Sequence, residues 1–360
     1  MFKKFHLSAI ALASAAVLSL LPGTGAAQQS LTVASWGGAY TVSQVESMHK
    51  PFEAKSGIKV VSVDYSGALA EIAAQVKTGN IKWDVIDLEP AEALKGCEEG
   101  LFEKIDASRL PAGDDGSPAS KDFGAGLVLP CAIGNITYAN VISYDKAKMG
   151  ANSPKTLEDF FNVAKFPGKR GIKKDPSVIL EWALMADGVA LGDVYKVLST
   201  PAGVERAFKK LDTIKSNIVW WTAGAQPPAL LASGEVVMAH AWHGRIVDAN
   251  VKEKKDFALV WDGQVQIPDL YAILKGTKNL EAAQEFVRFA SSSQPLADQA
   301  KYIPYAPTRN SSLALIPASN PNRAYLPNAG HPGRSMPTNS QFWMENGDDL
   351  EKKFSAWLAK

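Results

Sequence analysis

Cysteine is scarce in this 360-residue sequence: Cys97 and Cys131 are all it has. That excludes a disulfide-dense scaffold and any cysteine-built zinc framework. Neither charge is in excess, with 38 Lys and Arg against 37 Asp and Glu, a formal +1. Such neutrality leaves no electrostatic case for a nucleic-acid partner or another polyanion. Beyond Leu21 no apolar run approaches the roughly 18 residues of a membrane-spanning helix. No Gly-x-Ser-x-Gly elbow, His-Glu-x-x-His pair or P-loop occurs, so catalytic chemistry has no positive support. His240 and His243 lack a nearby third ligand, so neither a metal nor any other cofactor is expected. Internal repeats and low-complexity tracts are missing as well.

What is present begins with the layout of a secretory signal. A short basic segment, Met1-Phe-Lys3-Lys4-Phe-His6, precedes an apolar run from Leu7 to Leu21 and the small residues Gly25-Ala26-Ala27. An uncleaved anchor competes with that reading, but about 15 apolar residues is short for a span. With residues 1–27 as signal peptide, 360 − 27 = 333 residues remain, enough for two medium domains. Losing Lys3 and Lys4 turns the balance to 36 against 37, or −1. No cysteine lies near the cut, which argues against a lipid-anchored start. In an exported chain the pair Cys97 and Cys131 reads as a disulfide, with two buried thiols or a reactive cysteine as the alternatives.

Short β-rich runs alternate with helical patterns, the signature of a parallel or mixed sheet covered on both faces. Strands are expected at 31–36, 58–64, 83–88, 127–138, 236–241, 257–261 and 269–274. Helices are expected near 68–77, 156–164, 177–187, 202–215, 279–291 and 347–359, with another opened by Pro90. Val42, Val45, Met48 and Phe52 form one apolar stripe between Tyr40 and Gly57. Residues 108–122 read as a polar surface loop.

Trp36 and Tyr40 flank the Gly37-Gly38 turn of the first strand-to-helix unit. Ligands bind at such places in open α/β sheets, and aromatic faces there can hold an alkylamine. Plain core packing, or an anion cradled by the glycines, would explain the same residues. Asp87 and Glu89 have the i, i+2 spacing that points both to one side; they suit a cationic solute or cap a helix. Asp175 and Glu181 bracket a helix start. Adjacent Trp220 and Trp221 cannot both face the interior of a strand, so one of them, or Gln226, faces a cleft. Trp242, Arg245 and Asp269 make the sharpest constellation. Asp269 can neutralise an ammonium against the Trp242 wall, while Arg245 would repel a polycation but clamp a carboxylate. A bare Arg245–Asp269 salt bridge is the competing explanation.

With these residues assembled, the stretch from Leu31 to Lys360 resembles the periplasmic solute-binding proteins of ABC importers, specifically the spermidine/putrescine-binding group. The likeness rests on Trp36…Tyr40, Phe52-Glu-Ala-Lys-Ser-Gly-Ile-Lys-Val60, Trp83-Asp-Val-Ile-Asp87, Gly100-Leu-Phe-Glu-Lys-Ile-Asp106, Trp242-x-Gly244 followed by Asp269, and Tyr305-Ala-Pro-Thr-Arg-Asn310. The resemblance implies a two-lobed α/β fold, each lobe a mixed sheet flanked by helices, with a hinge of crossing strands. Lobe 1 would span 28–136 and 270–310, lobe 2 137–269 and 311–360. It also implies a ligand-binding set of Trp36, Tyr40, Asp175, Trp242, Asp269 and Tyr305, to which Glu89 and Arg245 are added from their positions. A monomeric periplasmic protein is implied that is not an enzyme and that delivers its solute to ABC permease subunits. Three departures stand out: Glu89-Pro90-Ala91 replaces a Ser-x-Tyr, Val178 stands where a glutamate is expected, and Arg245 brings a positive charge. A small amine such as spermidine or putrescine is the leading ligand, and a zwitterion such as γ-aminobutyrate or a related amino acid derivative the alternative. A secreted amine-processing enzyme and an anion-binding protein are the rivals from other classes.

Overall fold

The computed structural model describes Met1, residues 29–67 and residues 69–360; apart from Met1, the expected signal peptide and its cleavage site lie outside the described residues. Ten strands form one continuous sheet: β1 (Ser30–Ser35), β2 (Lys59–Asp64), β3 (Val85–Leu88), β4 (Ala132–Asp145), β5 (Arg170–Lys173), β6 (Ile218–Trp221), β7 (Met238–Trp242), β8 (Phe257–Ile273), β9 (Ala306–Pro307) and β10 (Ser335–Pro337). The main order is β2-β1-β3-β8-β4-β7-β5-β6, with β9 on β4 and β10 on β8. β1 runs parallel to β2 and β3, and β5 parallel to β6 and β7. Between these two parallel groups run the long antiparallel strands β4 and β8. The result is a two-lobed α/β periplasmic binding protein fold in which two strands cross from lobe to lobe. Every residue of β3 is buried, as expected for a strand covered on both faces.

Several expected elements take different bounds, each for a local reason. The runs 257–261 and 269–274 belong to one strand, because Gly263 (φ 83°) sits in an irregularity and not in a chain-reversing turn. Around it the β4 pairing jumps from Ile142↔Val260 to Asn140↔Val265. β4 starts only at Ala132, because the chain reverses at Pro130-Cys131: Val128 bridges Ile133 antiparallel, and the Leu129 amide donates to the Ala132 carbonyl at 2.9 Å. The helix after the glycine turn runs Gly38–Gln44, loosens into a π turn at Val45–His49, and resumes at Lys50–Ser56. Its inward face keeps half of the expected stripe: Met48 and Phe52 are buried beside Ser43, Gln44 and Ser47, whereas Val42 is 47% exposed and Val45 only half-buried. Residues 108–122 are not wholly superficial either. Asp122 is buried, ion-paired at 2.9 Å with buried Arg309. The tail helix begins at Ser340 and not at 347, because Asn339 caps it by accepting from the Phe342 amide.

The two largest cores sit on opposite sides of the crossing strands. One gathers Leu31, Val33, Met48, Phe52, Tyr271 and Phe286; the other gathers Phe160, Trp182, Leu211, Trp221, Trp343 and Phe354. The tail helix Ser340–Leu358 packs into the second and reaches the first lobe through Lys95–Asp348, 2.6 Å apart. Among the described residues no helix is long and apolar enough to cross a membrane, and no group of three His, Cys, Asp or Glu could hold a metal.

Cys97, on the helix Pro90–Glu98, is disulfide-bonded to Cys131 at the foot of β4, with Cα atoms 5.9 Å apart. Closing 34 residues in this way stabilises the chain by about 3–4 kcal/mol in the chain-entropy treatment. Cys97→Ser with Cys131→Ser is therefore expected to lower the melting temperature by several degrees in calorimetry. An unchanged melting temperature would remove the bridge from the stability account.

Candidate functional site

Seven side chains line a small cavity where the lobes meet: Trp36, Tyr40, Tyr138, Trp242, Arg245, Asp269 and Tyr305. Trp36 follows β1, and Tyr40 lies in the first turn of the next helix. Trp242 ends β7, and Arg245 follows in the first turn of the helix His243–Lys252. Tyr138 and Asp269 come from the crossing strands β4 and β8, and Tyr305 immediately precedes β9. The parts therefore come from both lobes and from the strands joining them.

The rings form a box. Trp36 meets Trp242 edge-on at 6.1 Å, Tyr40 meets Tyr305 at 5.3 Å, and Tyr138 lies 5.8 Å from Trp242 and 5.9 Å from Tyr305. The glycine turn makes this closeness possible. Gly38 has φ 56°, and a Cβ there would come within 3.1 Å of an Arg245 guanidinium nitrogen.

Within the box, two opposite charges are held apart. Arg245 is 5% exposed; its Nη2 donates to the Trp36 carbonyl at 3.3 Å, and its guanidinium lies over the rings of Trp242 (5.7 Å) and Tyr40 (6.0 Å). Its Nε has no partner among the described residues. Asp269 is 3% exposed, and its Oδ1 likewise has none. Burial first, and the nearby charges of Asp87 and Glu89 next, hold the Asp269 carboxyl well above the usual carboxylate range. The Trp36 indole N–H is a third unpaired polar group. Buried polar atoms left unpaired cost free energy that a complementary ligand recovers.

Six of the eight expected ligand-binding residues therefore meet in one cavity. Glu89 and Asp175 instead line a wider cleft that adjoins it and shares Trp36. Glu89 accepts from the Tyr138 hydroxyl at 2.7 Å, so it reaches the box through that ring. Asp175 is paired with Lys173 at 3.0 Å and caps the Ser177 amide at 2.8 Å. Trp221 is buried against Trp242, Trp220 packs on Phe354 and Trp357 of the tail helix, and exposed Gln226 accepts from the amides of Thr222 and Ala223. None of those three lines the cavity. Tyr138 is the residue that sequence reasoning missed. His240 bonds Asn140 at 2.8 Å and His243 bonds the Pro304 carbonyl at 2.8 Å, both buried deep enough to lower their pKa values to about 3 and about 4. They hold strands and loops together.

A family model for bacterial extracellular solute-binding proteins matches residues 47–324. The chain belongs to this solute-binding family. A γ-aminobutyric acid-binding protein of Pseudomonas aeruginosa is 41% identical over the full length of both chains. The solved Atu4243 GABA receptor is 32% identical, with a TM-score of 0.79 over 92% of this chain and 98% of that one. The putrescine-binding periplasmic protein PotF of Escherichia coli is more distant, 21% identical over 85% of each chain. As a member of this family the protein is the solute-binding component of an ABC importer, not an enzyme. The relatives named for γ-aminobutyrate share more of the sequence than the putrescine-binding one, which favours the alternative expectation over the leading one.

Proposed function

We propose that the protein captures γ-aminobutyrate or a closely similar ω-amino acid. The observation that carries this reading is the pairing pattern of the cavity: a buried carboxylate and a buried guanidinium share one aromatic box without bonding to each other. Asp269 takes the ligand ammonium, Arg245 takes its carboxylate, and the rings of Trp36, Trp242, Tyr40, Tyr138 and Tyr305 cover the methylene chain. Cation–π attraction from the ring faces adds to the ammonium end. A linear polyamine would place a second cation against Arg245, where like charges repel.

The export segment 1–27 delivers the chain to the periplasm, where it works as a monomer. The lobes change over near residues 136/137 in β4 and 269/270 in β8, close on the ligand, and present it to the permease. Glu89 acts through Tyr138, and Asp175 neutralises Lys173 at the mouth of the cleft.

Isothermal titration with γ-aminobutyrate, putrescine, spermidine and phosphate tests the reading. γ-Aminobutyrate is expected to bind at least roughly a hundredfold tighter than putrescine, the scale of one mispaired buried charge. Tight putrescine binding without γ-aminobutyrate binding would overturn it.

A further inference from the structure

Behind the ligand cavity lies a second carboxylate that the binding reading does not use. Asp87 pairs with Tyr271 across β3 and β8, and alternate residues of a strand share a face. Asp87 and Asp269 therefore stand diagonally on neighbouring strands, a separation of roughly 7–8 Å for such positions. Asp87 is fully buried and does not line the cavity. Its Oδ2 accepts from the Tyr40 hydroxyl at 2.8 Å, from the Asn135 amide at 3.1 Å and from the Gln44 amide. Asn135 also donates to the Tyr40 oxygen at 2.9 Å, and Gln44 to the Tyr271 hydroxyl at 2.8 Å. The Tyr65 hydroxyl holds the Asp87 carbonyl at 2.6 Å. The other carboxyl oxygen, Oδ1, has no partner among the described residues.

These donors are all neutral, so the carboxylate is buried on hydrogen bonds alone, an expensive arrangement for a merely structural residue. Burial pushes Asp87 up to about 7 against the pull of Tyr40, Gln44, Asn135 and Ser35. The titratable groups facing it are Tyr40 from the first helix, Tyr65 after β2, and Asp269 and Tyr271 from β8; Asp269 in turn faces Glu89 and Glu92, and the Arg245 guanidinium lies over the Tyr40 ring.

We infer that Asp87 is a positioning residue that determines specificity: without touching the ligand it fixes the Tyr40 phenol and sets a second negative charge behind Asp269, so the site takes a cationic amino group and rejects a neutral one. The inference rests on the proposal that Asp269 receives an ammonium. Both carboxyls are held above their ordinary values. As pH falls through that range they gain protons, the wall loses charge, and amine affinity drops; a bound ammonium conversely expels protons.

The test is γ-aminobutyrate titration from pH 5 to 9, with 4-hydroxybutyrate as the neutral isostere. Asp87→Asn keeps an acceptor for Tyr40, Gln44 and Asn135 but removes the charge. It is expected to weaken γ-aminobutyrate binding by roughly tenfold or more at pH 8.5. It is also expected to narrow the preference over 4-hydroxybutyrate and to move the acid limb to lower pH, because Asp269 is no longer held up by a neighbour. Gln44→Leu removes a donor from the Asp87 carboxylate and is expected to move the acid limb the other way, which carries the test if the first variant fails to fold. An unmoved limb in either folded variant, or a loss equal at every pH, overturns the inference. Absence of γ-aminobutyrate binding to the wild type is a separate result that removes the underlying proposal and the inference with it.

Discussion

Asp269→Asn is expected to weaken γ-aminobutyrate binding by roughly a hundredfold or more. Removing one partner of a desolvated charge pair typically costs about 2–5 kcal/mol, and every 1.4 kcal/mol is a factor of ten. Asp269 is buried with one oxygen unpaired, so an ammonium would be that oxygen's principal partner. The variant itself is expected to fold at least as well as the parent. The native carboxyl is held above its unfolded value. Above the ordinary aspartate value, ionising such a group therefore works against the fold, and an amide avoids that cost. Calorimetric titration paired with a melting curve separates the two effects. Binding within threefold of the parent would show that Asp269 does not receive the ammonium.

Arg245→Gln is expected to produce the second large effect, and one of opposite sign for two ligands. γ-Aminobutyrate loses the group that clamps its carboxylate and binds roughly a hundredfold more weakly, again the scale of a broken buried pair. Putrescine loses a repulsion and binds more tightly than to the parent. A diamine that gains nothing would show that the guanidinium does not govern the choice between amine and zwitterion. The variant also gives up the bond from Arg245 to the Trp36 carbonyl, so its melting curve is a necessary control.

Much of the site could be read from residue types at strand ends. Trp36, Tyr40, Trp242 and Arg245 stand at the junctions where strands hand over to helices, and chemistry placed there is legible in the sequence. Asp269 was legible as an acid but not in its setting. The run Asp262-Gly263-Gln264 resembles a turn, whereas the chain passes through it as an irregular stretch of β8. Tyr138 was invisible because it ends an apolar run that any core strand would show; its nearest signal was polar Asn135 three residues earlier, buried beside Asp87. Asp175 carried the right charge in the right region, but its partner Lys173 lies only two residues away, and spacing alone does not decide between an internal and an external cation. The apolar stripe of the first helix holds at Met48 and Phe52 and departs at Val42 for a physical reason: the π turn shifts its register, and the buried carboxylate of Asp87 requires a polar inner face supplied by Gln44.

Trp36 and Trp242 have a use that follows from their place in the cavity wall. Of nine tryptophans in the chain, these two would flank any bound solute, and one of them offers an unsatisfied indole N–H. The protein thus carries its own optical reporters at the point of occupancy, with no dye or engineered cysteine required. Emission recorded during titration follows loading of the cavity, against a background from indoles packed elsewhere, such as Trp182 and Trp357.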